Sequence, residues 1–173
     1  MSTVLIAFIA LAISLRFLTL AISLRHEAVL KAAGATEYNA LTSTVLALAH
    51  AGFCLAAIAE SVWHAAPLNL TAVFGVGLYA ASMVALFWVI RELGPLWTVK
   101  IMIAPDHTLV TSPLFRTLRH PNYFLNIVPE LIGFSLALQA FDTLAIGLPV
   151  YAIILFLRIQ QEEKVMREAF VAY

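Results

Sequence analysis

Arg119, His120, Pro121, Asn122 and Tyr123 stand in one unbroken run, and Arg158, Glu162 and Glu163 follow after a long apolar stretch. Two arginines, a histidine and two acids form a set that can bind an anion, orient a carboxylate or pass a proton. Arg158 and Glu162 are spaced i,i+4, so on one helix they share a face and can pair with each other or clasp one substrate group. Pro121 suits the first turn of a helix, where its missing N–H costs nothing. Arg119 and His120 then lie just outside that helix start, where free N–H groups and the dipole favour an anionic group.

The elements that must position these groups are hydrophobic. Phe124 to Phe156 reads as an apolar hairpin, and a returning hairpin brings both flanks to one face of a bilayer. The 173 residues are 62% hydrophobic and 12% charged, with a mean hydropathy of +0.95. Soluble domains are about 25% charged, so the balance is that of an integral membrane protein. Hydropathy marks five spans, at 3–24, 41–63, 68–90, 122–140 and 143–160, each near the ~20 residues a crossing helix needs. Backbone in hydrocarbon must satisfy its own hydrogen bonds, so the expected fold is all-α. Two parts are expected: an N-terminal three-helix membrane region over 1–90, and a core over 91–173 with a polar loop, a two-helix hairpin and a short terminal helix. The first apolar run has no basic segment ahead of it and reads as a retained helix rather than a cleaved signal.

Lysine and arginine set the orientation. With loop 91–121 in the cytoplasm, that side holds Arg25, Lys31, Arg91, Lys100, Arg116, Arg119, Arg158, Lys164 and Arg167, and only Arg16 is left, inside the first span. This one-sided pattern supports five crossings and places the polar motifs at the cytoplasmic surface. The zero net charge gives no reason to expect a nucleic-acid partner. Cys54 lies in an apolar segment and reads as a small buried residue, and no metal site is expected.

Other residues take plainer readings. Gly75 and Gly77, with Ala81 beyond, read as a packing face in the third helix. His50 and Glu60 fall inside the second span, and interhelical hydrogen bonding accounts for them. His26 and His64 read as surface residues, and Trp63, Trp88 and Trp97 as an interfacial belt. Taken singly, Arg119 and Arg158 read equally well as membrane anchors, and Glu162-Glu163 reads better as a solvated helix face. Their gathering at one end of the molecule, beside a loop too long for a mere connector, favours a site.

His107-Thr-Leu-Val-Thr-Ser, then Arg119-His-Pro-Asn-Tyr, then Arg158 with Glu162-Glu163 after the hairpin, resembles the isoprenylcysteine carboxyl methyltransferase family over about residues 91–170. The resemblance implies a membrane enzyme that transfers a methyl group from S-adenosylmethionine without a Rossmann domain. It implies that His107, Thr108, Leu109 and Val110, with Arg119, His120, Pro121 and Asn122, line the cofactor pocket. Lys100 and Phe115 stand where relatives carry a cofactor-contacting glutamine and tyrosine. Arg158 and Glu162 match the pair that meets the acceptor's reactive end. The acceptor implied is lipophilic, either a prenylcysteine carboxylate or an alkylresorcinol or alkylpyrone hydroxyl. Arg-His-Pro-Asn-Tyr is also similar to membrane sterol reductases that use NADPH, but there Gly-Glu closely follows the tyrosine. A non-enzymatic membrane protein is the remaining alternative; polar groups at one surface, not along a midplane path, count against a transporter.

Overall fold

In the computed structural model, residues 2–105 and 109–170 are described. The order is α1 (Thr3–Ala32), β1 (Thr36–Tyr38), α2 (Ala40–Trp63), α3 (Leu70–Leu93), β2 (Ile101–Ile103), α4 (Pro113–Thr117), α5 (Val128–Leu138) and α6 (Leu148–Ala169). Wide π-helical turns over Asn122–Ile127 and Thr143–Gly147 lead into α5 and α6, giving continuous helical runs Asn122–Leu138 and Thr143–Ala169. α1, α2, α3 and the run ending in α6 are long and apolar enough to cross a membrane, and Asn122–Leu138 is a shorter apolar helix. The outer faces are correspondingly greasy, with Phe17, Leu41, Trp63 and Phe74 exposed. Among the described residues the protein is thus an all-α membrane protein carrying one short strand pair.

Local chemistry starts these helices. The Ser2 hydroxyl accepts from the Leu5 amide at 3.4 Å, and the Asn69 side chain accepts from Ala72 at 2.9 Å, each satisfying a donor that a helix start leaves open. Glu60 does the same between helices. Its carboxylate accepts from the amides of Asp142 at 2.9 Å and Thr143 at 2.7 Å. The interhelical hydrogen bonding expected of Glu60 is therefore a cap on the last helical run, where a negative charge also meets the positive end of the dipole.

Packing draws the runs together. α3 makes its most extensive contacts with α5, and the crossing is set by two glycines. A Cβ on Gly75 would collide with the backbone of Ala137 and Gly133, and one on Gly133 with the backbone of Tyr79. Small residues let helix backbones approach this closely in a bilayer. Gly77, expected on the same face, has open space around it. Phe8 of α1 closes the seam, its ring 5.1 Å from Tyr79 and 5.7 Å from Phe134. A second cluster, with Phe53, Leu131, Tyr151 and Leu155, joins α2, α5 and α6.

Three ionisable groups meet near the middle of their helices. Arg16 of α1 grips the Glu130 carboxylate of α5 through Nε at 2.6 Å and through Nη2. His50 Nε2 of α2 lies 3.6 Å from the same carboxylate. That is too long for a hydrogen bond, so His50 meets Glu130 as a polar neighbour and packs its ring edge-on to Tyr151. Charge at this depth persists because it faces the bundle and is paired.

The strands were not anticipated. β1 and β2 pair antiparallel, with Thr36 opposite Ile103, Glu37 opposite Met102 and Tyr38 opposite Ile101. Segments this short carry no hydropathy period. Their effect is to pin the loop after α3 to the connection between α1 and α2.

Candidate functional site

The π turn after Pro121 sets the site. One extra residue per turn rotates the helix start, and such turns recur at functional positions. Here the turn buries Tyr123 and Asn126, and Tyr123 meets α6. Its hydroxyl donates to Glu162 and accepts from Arg158 Nε at 3.2 Å. Arg158 is 2% exposed. Its Nη1 donates to Ser43 Oγ of α2 at 2.6 Å and its Nη2 to the Val99 carbonyl at 2.9 Å. Arg158 and Glu162 therefore share a helix face as expected, but a phenol stands between them.

His120 continues the network outward. Its ring stacks on Tyr123 with centroids 5.7 Å apart, Nε2 lies 3.1 Å from Glu163, and Nδ1 lies 3.6 Å from Glu162. Burial of the ring opposes its charge, but the two carboxylates outweigh that and raise the His120 pKa above its usual value. Glu163 also binds Arg167 at 2.5 Å and lies 3.8 Å from Arg119.

These groups border a cavity of about 380 Å³, within the size range of small-molecule sites. The motif residues Arg119, His120, Pro121 and Asn122 line it, and so do Arg158 and Glu162 from α6. Lys100, Leu109, Val110 and Phe115 from the long loop complete the expected set. His107 and Thr108 lie outside the described residues. Trp97 and Asn122 line the cavity as well, and behind that surface Asn122 Oδ1 and Trp97 Nε1 are buried without a hydrogen-bond partner.

Lys100 borders the cavity with its ammonium engaged elsewhere. It donates to Glu27 at 2.7 Å and Glu37 at 3.1 Å. The Glu27 bond raises its pKa most, burial opposes this, and the Glu37 bond adds to the rise. The loop is held from α1 at two further points. Ser23 Oγ accepts from the Val99 amide at 2.9 Å, and His26 Nδ1 lies 2.8 Å from the Trp97 carbonyl. Two readings are corrected by this. His26 is a loop anchor rather than a free surface residue, and Trp97, 5% exposed, is a cavity wall rather than part of an interfacial belt. Both follow from the loop folding back over the helix ends.

The model of the isoprenylcysteine carboxyl methyltransferase family matches residues 73–168, the stretch that carries the cavity motifs and α6. The chain belongs to that family. It is 48% identical over 158 residues to an uncharacterized protein of Haemophilus influenzae, covering 91% of this chain and 92% of that one. It is 27% identical over 168 residues to the uncharacterized protein YpbQ of Bacillus subtilis, covering 92% and 95%. No solved structure matches. Membership in this methyltransferase family, with several membrane-length apolar helices, makes the protein a membrane methyltransferase in the general sense. Ser23, His26, Glu27, Glu37 and Ser43 lie outside the matched stretch yet hold its loop and its arginine.

Sequence reasoning missed Tyr123 and Ser43 as members of the site. Tyr123 had a visible signal, its place in the Arg-His-Pro-Asn-Tyr run. Ser43 had none, because its partner is 115 positions away.

Proposed function

We propose that the protein is an S-adenosylmethionine-dependent O-methyltransferase acting on a lipophilic acceptor at the cytoplasmic membrane surface. The observation that carries this reading is the cavity that gathers the family motif, the long loop and the Arg158–Glu162 face. The residues proposed to hold the cofactor are Leu109, Val110, Phe115, Arg119, His120, Pro121 and Asn122, with His107, Thr108 and Lys100 from the same loop. Arg119 and Arg116 supply positive charge for a carboxylate, and Phe115 an apolar surface. When bound, S-adenosylmethionine supplies an electrophilic methyl group on a sulfonium.

The chain's own work is to orient the acceptor oxygen and exclude water. A prenylcysteine carboxylate arrives ionised and needs only orientation by Arg158. An alkylresorcinol or alkylpyrone hydroxyl needs a proton acceptor, and the one proposed is Glu162, with His120 and Glu163 beyond as a relay in which His120 gives up one proton as it takes another. Five crossings with the N-terminus outside and loop 91–121 in the cytoplasm fit the one-sided lysines and arginines. In this reading residues 91–173 are the catalytic core, and 1–90 a membrane region that holds it in place.

Calorimetry on purified protein tests the cofactor directly. S-adenosylhomocysteine should bind and NADPH should not. Arg119→Ala and His120→Ala should weaken binding sharply, while Arg25→Ala should leave it unchanged. Binding of NADPH instead would move the protein to the reductase class.

A further inference from the structure

We infer that Tyr123 is a positioning residue, a neutral spacer that keeps Arg158 and Glu162 from neutralising each other and so leaves both available to an acceptor. The inference rests on the proposed methyl-transfer reading only for what the two charges do; the spacing itself stands on geometry.

Opposite charges at i and i+4 on a helix are placed to pair, and a buried pair binds strongly once water is gone. Arg158 and Glu162 have that spacing, yet no ion pair joins them among the described contacts. The Tyr123 hydroxyl occupies the position between. It is both donor and acceptor, so it donates to the Glu162 carboxylate and accepts from Arg158 Nε. One side chain thus satisfies both charges without cancelling either. Three further contacts hold the arrangement. Ser43 and the Val99 carbonyl draw the other two guanidinium nitrogens away from Glu162. His120 stacks on the tyrosine ring and limits its rotation. The ring is 6% exposed, seated among Leu46, Leu131 and Leu155. Tyr123, Arg158 and Glu162 all line the cavity, so the spacer works at the edge where an acceptor group would sit.

Removing the hydroxyl predicts a specific rearrangement. In Tyr123→Phe, Arg158 Nε and Glu162 lose their shared partner and close on each other. Methylation should then fall roughly ten- to a hundredfold, in turnover rather than in cofactor affinity.

The decisive measurement needs no acceptor. Glu162→Gln is made in the native protein and in the Tyr123→Phe background, and the thermal unfolding midpoint is read for all four proteins. In the native background the glutamine still accepts from Tyr123, so the midpoint should fall only by the weakened His120 contact, a loss common to both backgrounds. In the Tyr123→Phe background it breaks a direct ion pair, so the midpoint should fall distinctly further. An equal shift in both backgrounds would overturn the inference. Should Tyr123→Phe not fold, 3,5-difluorotyrosine at position 123 retains both bonds and carries a fluorine reporter. Its ¹⁹F resonance should shift on Glu162→Gln and on Arg158→Lys; indifference to either substitution would equally sink the spacer. S-adenosylhomocysteine titration of the same proteins separates the two ideas. Absent binding with intact coupling removes the methyltransferase reading and leaves the spacer. Normal binding without coupling does the reverse. Where S-farnesylcysteine or 5-pentadecylresorcinol is methylated, unchanged turnover by Tyr123→Phe would count against the role in catalysis.

Discussion

Two polar clusters sit in this greasy bundle, and they solve the problem of buried charge in opposite ways. At the middle of the helices Arg16 and Glu130 close on each other directly, with His50 alongside. At the motif end Arg158 and Glu162 are held apart by a phenol. Neither Arg16, His50 nor Glu130 lines the motif cavity or the apolar groove between α2 and α6, whereas Arg158 and Glu162 face the cavity. A directly paired charge has spent its electrostatic energy on a protein partner and serves cohesion. A charge satisfied by a neutral hydroxyl keeps most of its field for something else. The same residue types thus build a bolt in one place and a candidate site in the other.

The sharpest way to break that contrast is to remove one half of the bolt. Glu130→Ala leaves Arg16 without its anion in the middle of the helices, which should cost about 3–5 kcal/mol and show as a large loss of folded yield and unfolding midpoint. Replacing both partners, Arg16→Met with Glu130→Leu, should recover most of the loss, because no uncompensated charge remains. S-adenosylhomocysteine affinity of the double variant should match that of the native protein. If it fell as far as in Arg119→Ala, the mid-helix cluster would belong to the site and the distinction would fail.

The next effect lies at the motif end. Arg158→Lys keeps the charge but cannot hold Tyr123, Ser43 and the Val99 carbonyl at once, since an ammonium lacks the planar fork. Turnover should drop roughly ten- to a hundredfold, the loss of about 1.5–3 kcal/mol in charge-assisted bonds, with cofactor affinity nearly retained. Normal methyl transfer by this variant would make Arg158 an anchor, as in the plainer sequence reading.

The smallest effect is in pH. His120 has a raised pKa in the folded protein, so its protonated form contributes stability. That contribution is fully present below the unfolded value of about 6.5 and is lost as pH rises through the higher folded value. The unfolding midpoint should therefore decline on going from pH 6 towards alkaline pH, and His120→Gln should flatten the decline. An unchanged slope in the variant would place the titration elsewhere.

Much of this architecture was legible beforehand because bilayers impose lengths. The apolar runs coincided with α2, α3 and the hairpin and with the start of α1, which continues to Ala32. Four of the five expected spans are membrane-length and Asn122–Leu138 is shorter, while Gly75 was read correctly as a packing position. The gathering of Arg119, His120, Arg158 and Glu162 at one end followed from the hairpin alone. Gly77 and Trp97 were misread because residue type and span position cannot tell which side of a helix or loop meets a neighbour. The anchors Ser23, Glu27 and Glu37 were illegible for a related reason: each is an ordinary residue whose meaning depends on a partner more than sixty positions away.

By itself the sequence determined what is local or imposed by the solvent: membrane-length helices, the charge asymmetry along the chain, and a motif spacing that returns two polar clusters to one end. The tertiary structure alone decided how each buried charge is satisfied. The π turn after Pro121 rotates Tyr123 between Arg158 and Glu162, while the Gly75–Gly133 crossing packs α3 against α5, the helix that bears Glu130. Whether a charge is quenched or kept available depends on displacements of a hydrogen-bond length, and only packed backbones fix distances that finely.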